Sequence, residues 1–154
     1  MAERVFLVVV DGSEEMRAAL RYACRRARHT GGRVALLRVI APAEFQHFAK
    51  IGQLMSDEAR ADAEAQLQRL GGEVREISGE LPVIHVREGD PRDELIALID
   101  QDPAISILVL AAGTGAGGPG PLIAALTGSS VARLHIPMTI VPDSLSDREI
   151  DALT

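Results

Sequence analysis

Five runs of apolar residues recur along the chain, and most of them are continuous rather than interrupted by polar residues. They lie at 4–10, 33–40, 81–87, 104–112 and 137–142. A continuous apolar run rich in β-branched residues is typical of a strand buried on both faces of a parallel sheet, whereas a half-exposed strand alternates. The pattern therefore predicts five strands, and the first, RVFLVVV, is expected inside the sheet.

The segments between these strands have the spacing or the composition of helices. The longest is DEARADAEAQLQRL at 57–70, which we expect to end at its two following glycines, and the capping-box pattern SDRE at 146–149 predicts a short terminal helix. Residues typical of helix ends flank the helical segments: Ser13, Gly31, Gly32, Gly71, Gly72 and Pro91. Strands that alternate with helices predict an α/β fold, a single doubly wound five-stranded parallel sheet with helices on both faces.

Two segments allow more than one interpretation. The connection at 41–56 holds Phe45 and Phe48 at a helical spacing, which fits a short packed helix or a mobile lid over a site. The first helix carries arginines on the face opposite its apolar residues, which fits a basic docking stripe or, as the acidic chain favours, a solvated helix face. These arginines are Arg17, Arg21, Arg25 and Arg28.

Composition limits the class of protein. The 154 residues suit one globular domain. A net charge of −6 argues against a nucleic-acid-binding surface, which needs clustered cations. The first apolar run is too short to span a membrane or to form a signal-peptide core, so we expect no membrane contact and a cytoplasmic location. The single cysteine, Cys24, excludes an internal disulfide, and its alanine-rich helical surroundings predict an inert buried thiol.

The stretch AAGTGAGGPGPLIAALTGSS at 111–130 holds five glycines before its helical part and no charged residue. Where alanine would fit without strain, each glycine forgoes about 0.4 to 1 kcal/mol of stability. So much glycine therefore indicates a backbone that needs left-handed conformations or the close approach of another group. Because the amides of a glycine loop before a helix N-terminus form an anion-binding site, we interpret this segment as a phosphate-binding loop.

The predicted sheet also indicates where a ligand would lie. In a doubly wound sheet, ligands bind beyond the carboxyl ends of the strands, where successive helices leave towards opposite faces. Asp11 follows the first strand and Gly113 follows the fourth. If these strands are neighbours, the acidic side chain and the glycine loop face one cavity.

At this point a family resemblance becomes specific. VVVDGSEEMRAALRYACRRARHTGGRVALLRVI resembles the N-terminal half of universal stress proteins, and VREGDPRDELIALI and IPMTIVP are similar to later segments of that family, so the resemblance covers about 4–142. The nucleotide motif of the family is Gly-x-x-Gly, nine residues, then Gly-Ser or Gly-Thr. Four residues stand at that spacing: Gly115, Gly118, Gly128 and Ser129.

The resemblance implies an adenine nucleotide alpha hydrolase-like fold, with a nucleotide-binding domain at 1–142 and a tail at 143–154. It implies that Asp11 holds the ribose of ATP or another adenine nucleotide, bound with or without Mg²⁺, and that backbone groups near Val10 and Val39 contact the adenine. It further implies that the phosphates are held by the loop and by the residues that follow it: Gly113, Gly115, Gly118, Gly128, Ser129 and Ser130.

A dinucleotide-binding site is a rival interpretation of the same glycines. Gly113, Gly115 and Gly118 also fit Gly-x-Gly-x-x-Gly after a strand, with Asp143 as the acid after the next strand. Against this interpretation, the sequence PGP delays the helix that should begin at the third glycine.

A nucleotide-free interaction module with the same fold is the second alternative. In it, Asp11 and the serines only cap helices, and Gly128 only lets two helices approach. The loop favours this alternative in two respects, because its motif begins two residues later than is usual in the family and because it has no basic residue.

We therefore predict a stress-response protein that binds an adenine nucleotide and acts as a switch or regulatory module rather than by turnover. No catalytic residue and no metal site are predicted, since the four histidines are far apart and no serine has nucleophile-elbow spacing. A homodimer through strand 137–142 is expected, because the resemblance places this strand at the sheet margin and Pro137 and Pro142 limit further pairing. The alternative is a monomer in which the C-terminal segment covers that edge.

Overall fold

The computed structural model describes the backbone of residues 3–11, 16–41 and 49–154, and the side chains of these residues except 49–56. The predicted N-cap Ser13 and the phenylalanine pair Phe45 and Phe48 lie outside the described residues. In chain order the elements are β1 (Val5–Val9), α1 (Met16–Thr30), β2 (Arg33–Ile40), α2 (Ala49–Ser78), β3 (Val83–Glu88), α3 (Pro91–Gln101), β4 (Ile105–Ala112), α4 (Pro121–Thr127), a 3₁₀ helix (Ser129–Arg133), β5 (Met138–Pro142) and α5 (Asp147–Leu153).

The five strands form one parallel sheet in the order β3-β2-β1-β4-β5. The predicted doubly wound α/β fold is therefore confirmed. β1 lies at the centre, as its continuous apolar sequence predicts, and Leu7 and Val8 have no solvent exposure.

Alternate residues of the strands contribute to two cores, one on each face of the sheet. Phe6 and Val8 pack with α1, α2 and α5, whereas Val5 and Leu7 pack with α3 and α4. The helix after β1 thus covers one face and the helix after β4 covers the other. Because β1 and β4 are neighbours, the switch point of the sheet lies between their carboxyl ends.

The end predicted for α2 is wrong. The helix continues through Gly71 and Gly72 to Ser78, and Gly79 with φ +94° follows it. Val74, beyond the glycines, is fully buried in the same core as the first part of the helix. Burial of this further turn outweighs the helix-breaking tendency of a glycine, which costs about 1 kcal/mol.

The arginine-bearing face of α1 is the solvated face that we favoured only in part, because Arg17 and Arg28 are exposed whereas Arg21 and Arg25 are half-buried. Arg21 donates two hydrogen bonds of 2.8 Å to the carboxylate of Asp151 in α5, and Arg25 lies 3.4 Å from the same carboxylate. Arg28 donates to a backbone carbonyl at the end of α2. Ile150, beside the acidic partner, is 1 % exposed and belongs to the core. This face therefore holds other elements of the same chain.

Several local predictions are confirmed. Pro91 occupies the first turn of α3, and Ser146 and Glu149 form a capping box at the start of α5. Gly31, with φ +71°, follows the end of α1. Cys24 is fully buried in α1, and this burial raises the pKa of its thiol to about 12. The cysteine is thus an inert thiol, as its sequence context indicates.

Candidate functional site at the switch point of the sheet

A cavity of about 110 Å³ lies at the switch point between β1 and β4. Asp11, two residues beyond the end of β1, forms part of its wall. The opposite wall is the segment that leads into α4. The lining residues are Val9, Asp11, Met16, Leu110, Ala111, Pro119, Gly120, Pro121, Leu122 and Ile123. The structure thus places the predicted acid and the end of the glycine-rich loop at one cavity.

The carboxyl ends of β1 and β2 direct backbone groups to the same region. The amide of Val10 donates to the carbonyl of Leu37 at 2.8 Å, so this part of β2 points its backbone groups towards β1. Backbone groups of alternate strand residues point to the same side, and Val39 therefore also points towards the β1 side. The register pairs Val9 with Leu37, so Val39 lies beyond the paired part of β1. Its amide and carbonyl thus point to the β1 side of β2, beyond the last paired residues of the two strands.

The glycine loop after β4 is folded onto itself and onto the end of β5. The amide of Gly113 donates to the carbonyl of Pro119 at 3.3 Å, and that of Gly118 donates to Gly115 at 3.1 Å. The amide and the hydroxyl of Thr114 both donate to Oδ1 of Asp143, at 3.1 and 2.5 Å. Three of the loop amides that could contact a phosphate are thus bonded within the protein.

Only two of the five glycines in the loop require a left-handed backbone. Gly118 has φ +77° and Gly120 has φ +114°. A Cβ atom at Gly115 or Gly117 would meet no other atom within 4 Å. Gly120 is the N-cap of α4 and lines the cavity, so its conformation sets the direction in which the helix leaves the site.

The second half of the predicted motif lies away from this cavity. α4 begins at the cavity and has seven residues, which corresponds to about 10 Å of helix. Gly128 follows its far end, Ser129 opens the 3₁₀ helix, and Ser130 is 5 % exposed. None of these three residues lines the 110 Å³ cavity. The structure thus brings Asp11 to the wall of the cavity. Val10 and Val39 lie at the same carboxyl edge of the sheet but do not line the cavity, and neither do Gly113, Gly115, Gly118 and Gly128 to Ser130.

The loop has no cation of its own. The segment 103–132 contains no lysine, arginine or histidine. Arg133, which follows it, lies 3.3 Å from Asp93 at the start of α3. Among the described residues, no group of three or more His, Cys, Asp and Glu side chains could hold a metal ion. Charge compensation for a bound phosphate would therefore not come from side chains of this segment.

Sequence reasoning missed the roles of Gly120 and Asp143. Pro121 occupies the first turn of α4, and a proline there is a recognisable signal of a helix start, so Gly120 could have been found as its N-cap. Asp143 directly follows β5, and Thr114 lies two residues beyond the end of β4. Because β4 and β5 are neighbours in the sheet, these two residues lie close together. In the dinucleotide interpretation Asp143 would bind a ribose, but here it binds the protein's own loop.

These features define the class of the protein, a doubly wound α/β domain with a crevice at the switch point and a glycine- and proline-rich loop after β4. The sequence matches the universal stress protein family over residues 3–142. The chain belongs to this family. No sequence among curated proteins matches it significantly.

Solved structures of universal stress proteins share its fold. The protein UspA from Lactobacillus plantarum superposes with a TM-score of 0.72 at 21 % identity, over 92 % of this chain and 99 % of that one. The protein from Archaeoglobus fulgidus in complex with dAMP gives 0.64 at 18 % identity, over 92 % and 99 % of the two chains. A family protein from Arabidopsis thaliana with AMP bound gives 0.64 at 18 % identity, over 91 % of each. At these identities the likeness shows the fold.

Within the part of the chain that the structure describes, no helix is long and apolar enough to cross a membrane.

Proposed function

We propose that this chain binds an adenine nucleotide in the crevice at the carboxyl ends of β1 and β4, as a switch or regulatory module in a stress response. One observation carries the proposal: Asp11 lines the cavity at the switch point, and the backbone of Val39 on the neighbouring strand β2 extends past the paired part of β1 at the same edge of the sheet. Family membership supports it, as do the relatives of the same fold that hold dAMP and AMP.

In this proposal the adenine and ribose form the fixed part of the interaction. The amide and carbonyl of Val39 lie in a rigid sheet and can pair with the edge of an adenine ring, with Val10 at the end of β1 beside them. The Asp11 carboxylate accepts hydrogen bonds from ribose hydroxyls. A charge-assisted hydrogen bond contributes about 1.5 to 3 kcal/mol, so the nucleoside would account for much of the affinity.

The phosphates of the ligand would lie outside the small cavity. The cavity of about 110 Å³ is smaller than most small-molecule sites, which begin at roughly 300 Å³. A phosphate chain would therefore lie over the loop, and the loop would adjust to receive it. Gly113, Gly115 and Gly118 are the proposed phosphate contacts there. Gly128, Ser129 and Ser130 would contribute only if α4 moved towards the ligand, and a Mg²⁺ ion would supply the missing positive charge for ATP.

A calorimetric titration with AMP tests the proposal, with Asp11→Asn as the variant and Asp57→Asn as the charge-matched control on α2. Loss of the ribose contacts in Asp11→Asn should lower the affinity for AMP by about tenfold or more. The control variant should bind AMP as tightly as the wild type. Wild-type protein that binds neither AMP nor ATP would favour the alternative, a nucleotide-free interaction module.

We further propose that two copies of the chain pair through β5. This strand is at the margin of the sheet, and Ile140 is 39 % exposed. The amide of Leu108 donates to the carbonyl of Pro137, and the amide of Asp143 donates to Ala112, so odd-numbered residues of β5 point their backbone groups to β4. Even-numbered residues then face outwards. The C-terminal segment does not cover this edge through α5, which packs on α1.

A further inference from the structure

The contact between Asp143 and the glycine loop has the geometry of a bound anion. A single oxygen, Oδ1, accepts from both the backbone amide and the hydroxyl of Thr114, at 3.1 and 2.5 Å. An oxygen of a phosphate group bound by a loop accepts from the same two kinds of donor. The carboxylate therefore occupies a position that a phosphate oxygen could take.

The backbone fixes Asp143 in that position. Its amide donates to the carbonyl of Ala112, the last residue of β4, at 2.9 Å, and Leu145 donates to Pro142 in the turn that follows. α5 continues from this turn and is held on α1 by the pair of Arg21 and Asp151. The carboxylate is thus presented to the loop by a strand end that is anchored on both sides.

The loop that Asp143 contacts is also bonded to itself. Gly113 and Gly118 complete the folded loop with their bonds to Pro119 and Gly115. Pro119 is also a wall of the cavity, so the closed loop and the small cavity are parts of one arrangement. A phosphate that took the donors of Thr114 would have to displace a negatively charged oxygen that no basic residue of the loop neutralises.

We propose that Asp143 is an internal competitor for phosphate, so that its carboxylate holds the loop closed and reduces the affinity of the loop for the phosphates of a nucleotide. The identity of the physiological ligand in this inference rests on the proposed function. The test with inorganic polyphosphate does not. Opening of the loop exchanges the carboxylate for a phosphate oxygen, so the free energy gained from phosphate binding is reduced once by the loss of the Asp143 contact.

The test compares the wild type with Asp143→Asn and Asp143→Ala. The first variant keeps the size of the side chain and removes its charge, and the second removes the acceptor. Asp147→Asn is the control, because this carboxylate is on α5, is 76 % exposed and contacts Arg21 instead of the loop. Titrations use adenosine, ATP with Mg²⁺ and tripolyphosphate.

Both Asp143 variants should bind ATP and tripolyphosphate about tenfold or more tightly than the wild type, whereas adenosine should bind all four proteins alike. Amide hydrogen exchange of Thr114, measured without ligand, should be faster in both variants and unchanged in the control. Unchanged or weaker polyphosphate binding in the Asp143 variants would overturn the inference, and so would unchanged exchange of Thr114.

The titrations with different ligands also distinguish a failure of this inference from a failure of the proposed function. If adenosine binds to none of the proteins but tripolyphosphate gains affinity in the Asp143 variants, the proposed nucleotide function fails and the competition stands. If adenosine binds normally but neither ATP nor tripolyphosphate gains affinity, the competition fails and the nucleotide function stands.

Discussion

A proline at position 140 should separate the proposed dimer without unfolding its protomers. Ile140 lies on the marginal strand β5, and the register with β4 directs its N–H away from the sheet. Proline is tolerated on an edge strand where the missing N–H would face outwards. In a symmetric antiparallel pair, each protomer donates this N–H to the other, so Ile140→Pro removes two hydrogen bonds per dimer.

The size of the effect follows from those two bonds. At about 0.5 to 1.5 kcal/mol for each bond, their loss costs roughly 1 to 3 kcal/mol and raises the dissociation constant roughly 5- to 150-fold. Sedimentation velocity over a wide range of protein concentrations measures this constant directly. The helical circular dichroism signal should stay at its wild-type value. The Tm should do so too when both proteins are measured as monomers.

Thr139→Pro is the matched control, one residue away on the same strand. Met138 pairs with Leu108, whose amide bonds to Pro137, so the N–H of Thr139 points inwards to the carbonyl of Leu108. Loss of the Thr139 N–H leaves the buried carbonyl of Leu108 without its hydrogen bond, which costs about 1 to 3 kcal/mol of folding stability. This cost lowers the Tm by roughly 2 to 12 °C in a domain of this size. A monomeric wild type, or an Ile140→Pro protein as dimeric as the wild type, would refute the proposed interface.

Three further predictions concern stability and reactivity. Gly32→Ala should destabilise the protein by about 2 to 4 kcal/mol, because the added Cβ would overlap the carbonyl oxygen of Arg4. Gly31→Ala is strained only by its positive φ and should cost about 1 kcal/mol. Equal losses of stability for the two variants in urea unfolding would contradict this. Asp151→Asn should lower the Tm at neutral pH. Its hydrogen bond with Arg21 lowers the pKa of Asp151, so the difference from wild type should disappear as the pH falls through that lowered pKa, and a constant difference would count against the pair. Cys24 should resist iodoacetamide at pH 8 until the chain unfolds, since burial raises its pKa to about 12; rapid labelling of folded protein would exclude this explanation.

The sequence was sufficient for those parts of the fold that depend on local pattern. Continuous apolar runs predicted the parallel strands, and the alternation with helices predicted which end of the sheet carries the cavity. The capping box at Ser146 was recognisable because all of its groups lie within four residues. Asp11 could be placed at the site for a similar reason, since it directly follows the first strand.

The features that sequence reasoning did not find depend on contacts between distant segments. The bonds of Arg21 and Asp151 join residues 130 positions apart, and those of Thr114 and Asp143 join residues 29 apart. Neither pair has a local signal. The length of α2 was misjudged for a related reason, because Val74 gains its burial from other elements and not from its neighbours in sequence.

The central claim is that an adenine nucleotide binds in the crevice between the carboxyl ends of β1 and β4. A crystal structure of the protein grown with saturating AMP tests it most directly. We expect electron density for the nucleoside in this crevice, with the ribose hydroxyls within hydrogen-bonding distance of Asp11 and the adenine edge on the backbone of Val39. A crevice without ligand at saturation, or AMP bound at another surface, would contradict it.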